Sequence, residues 1–294
     1  MLMSIPAGAR YMILSALGFA FMGMFVKLAY ADGIPVLEIV AARSLVSALL
    51  SYADVRRKRI ALLGKRRGLL LARGGIGALA LMCVYYSVVN IPYATATVLQ
   101  YLHPMFTAVL AAIFLKERLQ FSTLTCVILS LIGLMILVSP NLITASVLSY
   151  SPLAIGAAIT GALGSAIAYI LVRKLSQTED PSVIIFYFPA IALPLSLLWL
   201  GSDLILPTGW TWLTLLGVGV ATQIGQIGLT KALQVETAAR ATSFSYLQVV
   251  FAAIIGWIVF AEIPVTTTLI GGSCIIAAAL LNLFWKIPSN TVRL

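Results

Sequence analysis

The chain has 294 residues, of which 61% are hydrophobic and 10% charged, with a formal net charge of +10. Soluble domains carry about 25% charged residues, so a soluble fold of this size could not bury so much apolar surface, and lipid must be the solvent for most of it. The basic residues occupy short stretches between apolar runs and form no continuous stripe, which excludes a nucleic-acid-binding face.

A ruler of about 20 apolar residues marks ten spans in chain order, at 11–31, 35–54, 69–90, 93–115, 121–139, 152–174, 181–201, 209–233, 237–260 and 265–286. The first carries a long apolar run from Tyr11 to Val26 with no A-x-A-like cleavage site after it, so it reads as a mature helix, not a signal peptide. Lys27 lies near its outer end, and Arg43 lies within the second span, five residues after Glu38. Between spans two and three, Arg56-Arg57-Lys58-Arg59 and Lys65-Arg66-Arg67 read as a topology anchor. The GGIGA of Gly74–Ala78 opens the third span, where small residues favour close helix packing. Tyr85, Tyr86 and Asn90 follow, with Tyr86 preferred for an interior face.

In the fourth span, Gln100, His103 and Thr107 share one face at i, i+3, i+7. Pro104 has no N–H to give, so it bends the helix and frees the carbonyl of Gln100. Such irregular backbone persists in a bilayer only where protein or a water-filled cavity satisfies it. The sixth span offers Ser165, Tyr169 and Arg173, the eighth Gln223, Gln226 and Thr230, and the ninth Ser245 and Gln248. Turn signals separate the spans at Gly33-Ile34-Pro35, Ile91-Pro92, Ser139-Pro140-Asn141, Ser151-Pro152, Asp180-Pro181 and Ile263-Pro264.

With the N-terminus inside, Lys and Arg fall in the inner loops and tails (Arg73, Lys286 and Arg293 counted among them), and the outer loops hold neither. This places both termini on the cytoplasmic side of a bacterial inner membrane. Cys83, Cys126 and Cys274 all lie in apolar spans without paired or metal-ligand spacing, and the single histidine excludes an H-E-x-x-H pair, so no metal or cofactor is expected.

The chain repeats itself. A slide of 145 residues lays 93–124 on 238–269, matching Tyr101 to Tyr246, Leu102 to Leu247, Phe106 to Phe251 and Glu117 to Glu262. A slide of 146 lays Ala16-Leu17-Gly18 on Ala162-Leu163-Gly164 and Lys27 on Arg173. Each half then has five spans, and an odd number sends the second half into the membrane from the opposite side. The expected fold is therefore an all-α integral membrane protein of ten transmembrane helices in two inverted five-helix repeats, 10–139 and 152–286. Secondary transporters use this architecture, with the substrate site near the midplane between halves.

Particular residues carry a family resemblance: Arg43 in EIVAARSLVSALL, Pro104 in LHPMFTAVL, Glu117 in FLKERLQFSTL, Gly133, and Glu262 in FAEIPVTTTLIGG. On these the chain resembles an EamA-type member of the drug/metabolite transporter superfamily, over about residues 10–286. The second half departs from the pattern: Val249 replaces Pro104, Ile263 replaces Arg118, and 186–200 holds no counterpart to Arg43. The resemblance implies ten helices around a central cavity lined by the first, third, fourth, sixth, eighth and ninth.

The candidate substrate-cavity residues are Gln100, His103, Gln248, Gln223, Gln226, Tyr86, Tyr169, Arg43 and Lys27. Amides, tyrosines and few charges suit small polar or amphipathic metabolites, amino-acid-like or nucleoside-like, carried by alternating access. Lys27 and Arg43 keep organic-anion exchange open as an alternative. A non-transporting scaffold or a lipid translocator is the other rival. An intramembrane enzyme is disfavoured, because mid-span acid pairs and a G-x-S-x-G elbow are both absent. The partners expected are a small metabolite and the lipid bilayer; the sequence sets no oligomeric state.

Overall fold

The computed structural model describes residues 5–143, 151–201 and 203–284. These residues form α1 (Ala7–Ala31), α2 (Val36–Arg57), α3 (Arg67–Asn90), α4 (Tyr93–Gln100), α5 (His103–Phe114), α6 (Phe121–Ile143), α7 (Pro152–Leu175), α8 (Pro181–Leu200), α9 (Thr211–Val235), α10 (Ala238–Ser243), a 3-10 turn at Phe244–Tyr246, α11 (Leu247–Phe260) and α12 (Thr266–Phe284). Taking α4 with α5 and α10 with α11, ten helical segments are long and apolar enough to cross a membrane. The protein is an all-α, multi-pass integral membrane protein.

Three features differ from the sequence expectation. The fourth span is two helices separated at Tyr101-Leu102, and the ninth is broken by the 3-10 turn although it has no proline there. α6 runs on to Ile143, past the turn signal at Ser139-Pro140-Asn141. Lys286 and Arg293 lie outside the described residues.

The molecule is built inside out relative to a soluble domain. Large apolar side chains such as Phe114, Leu198, Trp199 and Ile258 face outward, while Ser, Thr, Gln and Arg side chains are buried among the helices. Lipid is as apolar as leucine, so association rests on close packing and hydrogen bonds rather than on apolar burial. Helix pairings come in couples. α1 packs on α9 and α7 on α3; α2 on α9 and α8 on α3; α1 on α11 and α7 on α5. Adding six to each first-half number gives its partner in the couple, and α2·α8 and α6·α12 map onto themselves.

The acidic helix ends carry the same correspondence into the backbone. Lys116 and Ala261 both take a left-handed φ of 54°. Each is followed by a glutamate whose N–H bonds six residues back, Glu117 to Ala111 O at 3.2 Å and Glu262 to Gly256 O at 3.1 Å. The 145-residue slide thus relates equivalent turns. Each presents its carboxylate to a cation on the matching helix, Glu117 to Arg173 and Glu262 to Lys27.

Candidate functional site

The site begins at the break between α4 and α5. Pro104 leaves the Gln100 carbonyl without its helical donor, and His103 Nδ1 lies 3.0 Å from that oxygen. A carbonyl can only accept, so this bond assigns the ring proton to Nδ1. The next carbonyl, Tyr101 O, accepts from the Tyr246 hydroxyl at 2.8 Å, and the two tyrosine rings stack at 5.5 Å. Side chains thus satisfy the broken backbone, one from the turn itself and one from the other half of the chain.

His103 is buried, and half-buried polar groups surround it. Its ring meets Tyr169 of α7 edge-on at 5.4 Å, and its Nε2 faces Ser245 Oγ of the 3-10 turn at 3.4 Å. The Ser245 hydroxyl donates to Thr242 O at 2.7 Å, so the contact with the ring is the weaker one. Gln100 Nε2 donates to Ser165 Oγ of α7 at 3.3 Å. Arg73 of α3, the helix on which α7 packs, donates from Nη2 to Gln226 Oε1 of α9 at 3.2 Å. Both halves of the chain contribute. The cluster holds donors, acceptors and a cation, and the one hydroxyl facing the imidazole, Ser245, donates to Thr242 O instead of to the ring, so the group is equipped to bind rather than to react.

The structure sorts the sequence candidates. Gln100, His103 and Tyr169 come together, and Gln226 holds Arg73. Arg43 joins at one remove: its guanidinium and that of Arg73 lie 5.8 and 4.9 Å from the centre of the same Phe188 ring. Gln223 faces a different way, accepting from Ser47 Oγ at 2.6 Å and donating to Ser51 Oγ at 2.9 Å, so it fastens α9 to α2. Lys27 stands at the outer end of α1, paired with Glu262 and 4.1 Å from the centre of the Phe260 ring. The Tyr86 side chain is exposed, and Gln248 is half-buried and makes no hydrogen bond among the described residues.

Arg73 is the residue the sequence reading misplaced. It follows the basic run 56–67 and was counted with the inner-loop cations, yet it is only 3% exposed, a full turn inside α3. The available signal was its place within the third apolar span, just before Gly74-Gly75.

An apolar groove of about 460 Å³ lies elsewhere, between α1 and α9, lined by residues such as Leu14, Phe21, Phe25, Leu213 and Val220. It offers no polar side chain to a hydrophilic solute.

The imidazole cap makes a prediction. His103→Leu removes the donor to Gln100 O and should lower stability by about 1–2 kcal/mol. His103→Asn, which carries an N–H donor near the Nδ1 position, should retain most of the stability. Thermal unfolding of the two variants in detergent checks this; equal losses would mean that the ring only fills space.

The EamA-like transporter family matches residues 6–139 and 152–284. The chain is similar to the "Pseudopaline exporter CntI" of Pseudomonas aeruginosa, 33% identical over 277 residues that cover 94% of this chain and 95% of that protein. It is also similar to the mouse "Solute carrier family 35 member G1", 30% identical over 283 residues covering 92% of this chain and 76% of that one. A solved crystal structure has the same fold, with a TM-score of 0.75 at 16% identity, covering 91% of this chain and 95% of its own. The family and these relatives are transporters, not enzymes, and by sequence and architecture the chain belongs to the EamA-like transporter family.

Proposed function

We propose that this membrane transporter is a secondary carrier that moves small polar or amphipathic metabolites, amino-acid-like or nucleoside-like, by alternating access of its two halves. The observation that carries the reading is the set of polar groups turned inward on α3, α4, α5, α7 and α9: the contacts of Gln100 and His103 with Ser165 and Tyr169, and the pairing of Arg73 with Gln226. Polar groups gathered inside the bundle from both halves of the chain are where an alternating-access carrier holds its solute. The similarity to an exporter of a small molecule makes outward movement the direction to assay first.

Organic-anion exchange is the second reading, favoured by the buried guanidinium groups of Arg43 and Arg73. Lipid translocation gains no support from the groove between α1 and α9, whose apolar lining offers a headgroup no polar path. The test is flux in proteoliposomes loaded with a panel of amino acids, nucleosides and organic acids. Saturable, protein-dependent flux of one class is the expected result. No flux across all classes would overturn the carrier reading in favour of a scaffold.

A further inference from the structure

We infer that the solute carries a carboxylate and that Arg73 binds it, assisted by Arg43; this rests on the carrier reading above. The first observation is unpaired charge. Arg73 is 3% exposed and Arg43 is 6% exposed. Arg73 has one hydrogen bond, to the neutral amide of Gln226, while its Nε and Nη1 have no partner. Arg43 donates from Nη1 only to the sulfur of Met22 at 3.6 Å, and its Nε has no partner. Three guanidinium nitrogens are thus desolvated without acceptors, a costly state for a permanent cation.

The second observation is that the chain's carboxylates are engaged or placed elsewhere. The sequence holds nine Asp and Glu residues in all. Glu117, Glu236 and Glu262 pair with Arg173, Arg240 and Lys27, and Asp54 and Asp180 pair with Lys58. Glu179 accepts from the Lys65 and Arg66 amides, Glu38 from the Ile205 amide and Asp32 from the Thr211 hydroxyl. Asp203 is an exposed residue of the connection between α8 and α9. None forms an ion pair with Arg73 or Arg43, although Glu38 shares a helix with Arg43. The missing counter-charge is therefore expected from the solute.

The third observation is how closely the cation is packed. Gly77 sits one turn beyond Arg73 on α3, and a Cβ there would lie 3.3 Å from Arg73 Nη1 and 3.0 Å from the Phe188 ring. Only a residue without a side chain fits beside this unpartnered nitrogen, so added bulk there disturbs it. A planar carboxylate matches the guanidinium fork, and the neutral donors and acceptors of Gln226, Tyr169 and Gln100 are placed to meet the rest of a small polar molecule. The arrangement distinguishes a carboxylate-bearing solute from a nucleoside-like one, which would leave both cations unpaired.

The experiment measures binding and flux on the purified full-length carrier. Thermal stabilisation is recorded with a panel of mono- and dicarboxylates, their uncharged amides, nucleosides and inorganic phosphate, and the same compounds are tested for flux in proteoliposomes. A carboxylate is expected to stabilise and to be transported, its amide to do neither, and Arg73→Gln to weaken binding by roughly tenfold or more. Arg43→Gln is expected to weaken it less. Gly77→Ala keeps both charges, so a loss of carboxylate binding in that variant, with its melting point close to the wild type's, locates the solute even if Arg73→Gln is unstable. Flux of a neutral or zwitterionic compound that Arg73→Gln leaves unchanged would overturn the inference while the carrier reading stands. Equal stabilisation by phosphate and carboxylate would overturn the carboxylate assignment. Absence of flux for every class would instead sink the carrier reading.

Discussion

Replacing Glu117 with alanine is expected to destabilise the protein strongly, whereas Glu262→Ala at the corresponding helix end should leave it nearly unchanged. Glu117 Oε1 is 3.0 Å from Arg173 Nε, and its Oε2 accepts from the Ala238 amide at 2.8 Å. Arg173 also donates from Nη1 to Leu233 O at 2.9 Å and to Gln234 O at 3.0 Å. One carboxylate thus ties the end of α5 to α7, to the end of α9 and to the start of α10. The Arg173 and Glu117 side chains are only 21% and 12% exposed. Deleting the acid strands a largely buried guanidinium and an amide, which costs about 2–4 kcal/mol after allowing for residual solvent. The Lys27–Glu262 pair is 50% and 58% exposed and has no such backbone bonds. Exposed pairs are worth roughly 0–1 kcal/mol. Thermal unfolding of the two alanine variants in one detergent decides the matter, and equal melting points would refute the asymmetry.

Gly18→Val is expected to prevent assembly of a stable bundle, while Gly23→Val on the same helix should be tolerated. A Cβ at Gly18 would lie 2.7 Å from Gly225 N, 3.0 Å from Gly225 Cα and 3.1 Å from Ala221 O. All three obstructing atoms belong to the α9 backbone, which cannot move aside as a flexible side chain can. α1 must therefore retreat from α9, and the nearby bond from Ser15 Oγ to Gly225 O at 2.8 Å goes with it. Overpacking a tight contact typically costs 1–3 kcal/mol, and the lost hydrogen bond adds about 0.6 kcal/mol. A Cβ at Gly23 would meet nothing within 4 Å. Size-exclusion profiles of the two variants after extraction should differ, with aggregate for Gly18→Val and a sharp peak for Gly23→Val.

Apolar spans were legible because the bilayer sets their length, and the family because Arg43, Pro104, Glu117 and Glu262 punctuate them in a recognisable order. Half of the first break was also legible, since a proline announces a missing donor. That imidazole and phenol groups would supply the missing bonds was not, because those contacts depend on how the helices cross. The second break had no local sign at all: Phe244–Tyr246 contains neither proline nor glycine. Within α9, Gln223 and Gln226 stand three residues apart and look equivalent on a helical wheel. One faces serines of α2 and the other the arginine of α3, a division fixed by the flanking helices and invisible along α9 alone. Arg73 was hidden by its neighbours in sequence, because a basic run just outside a membrane makes one further arginine look like more of the same.

The bond from Tyr246 to Tyr101 joins the two interrupted spans at their points of least backbone support. Each interruption is a place where a span can flex without breaking a helical ladder. Because the tyrosines link one interruption to the other, neither can shift without stretching this bond or carrying its counterpart along, like the two arms of a balance sharing a pivot. In the alternating-access carrier proposed above, such a linkage would favour a concerted stroke and penalise a state open to both sides.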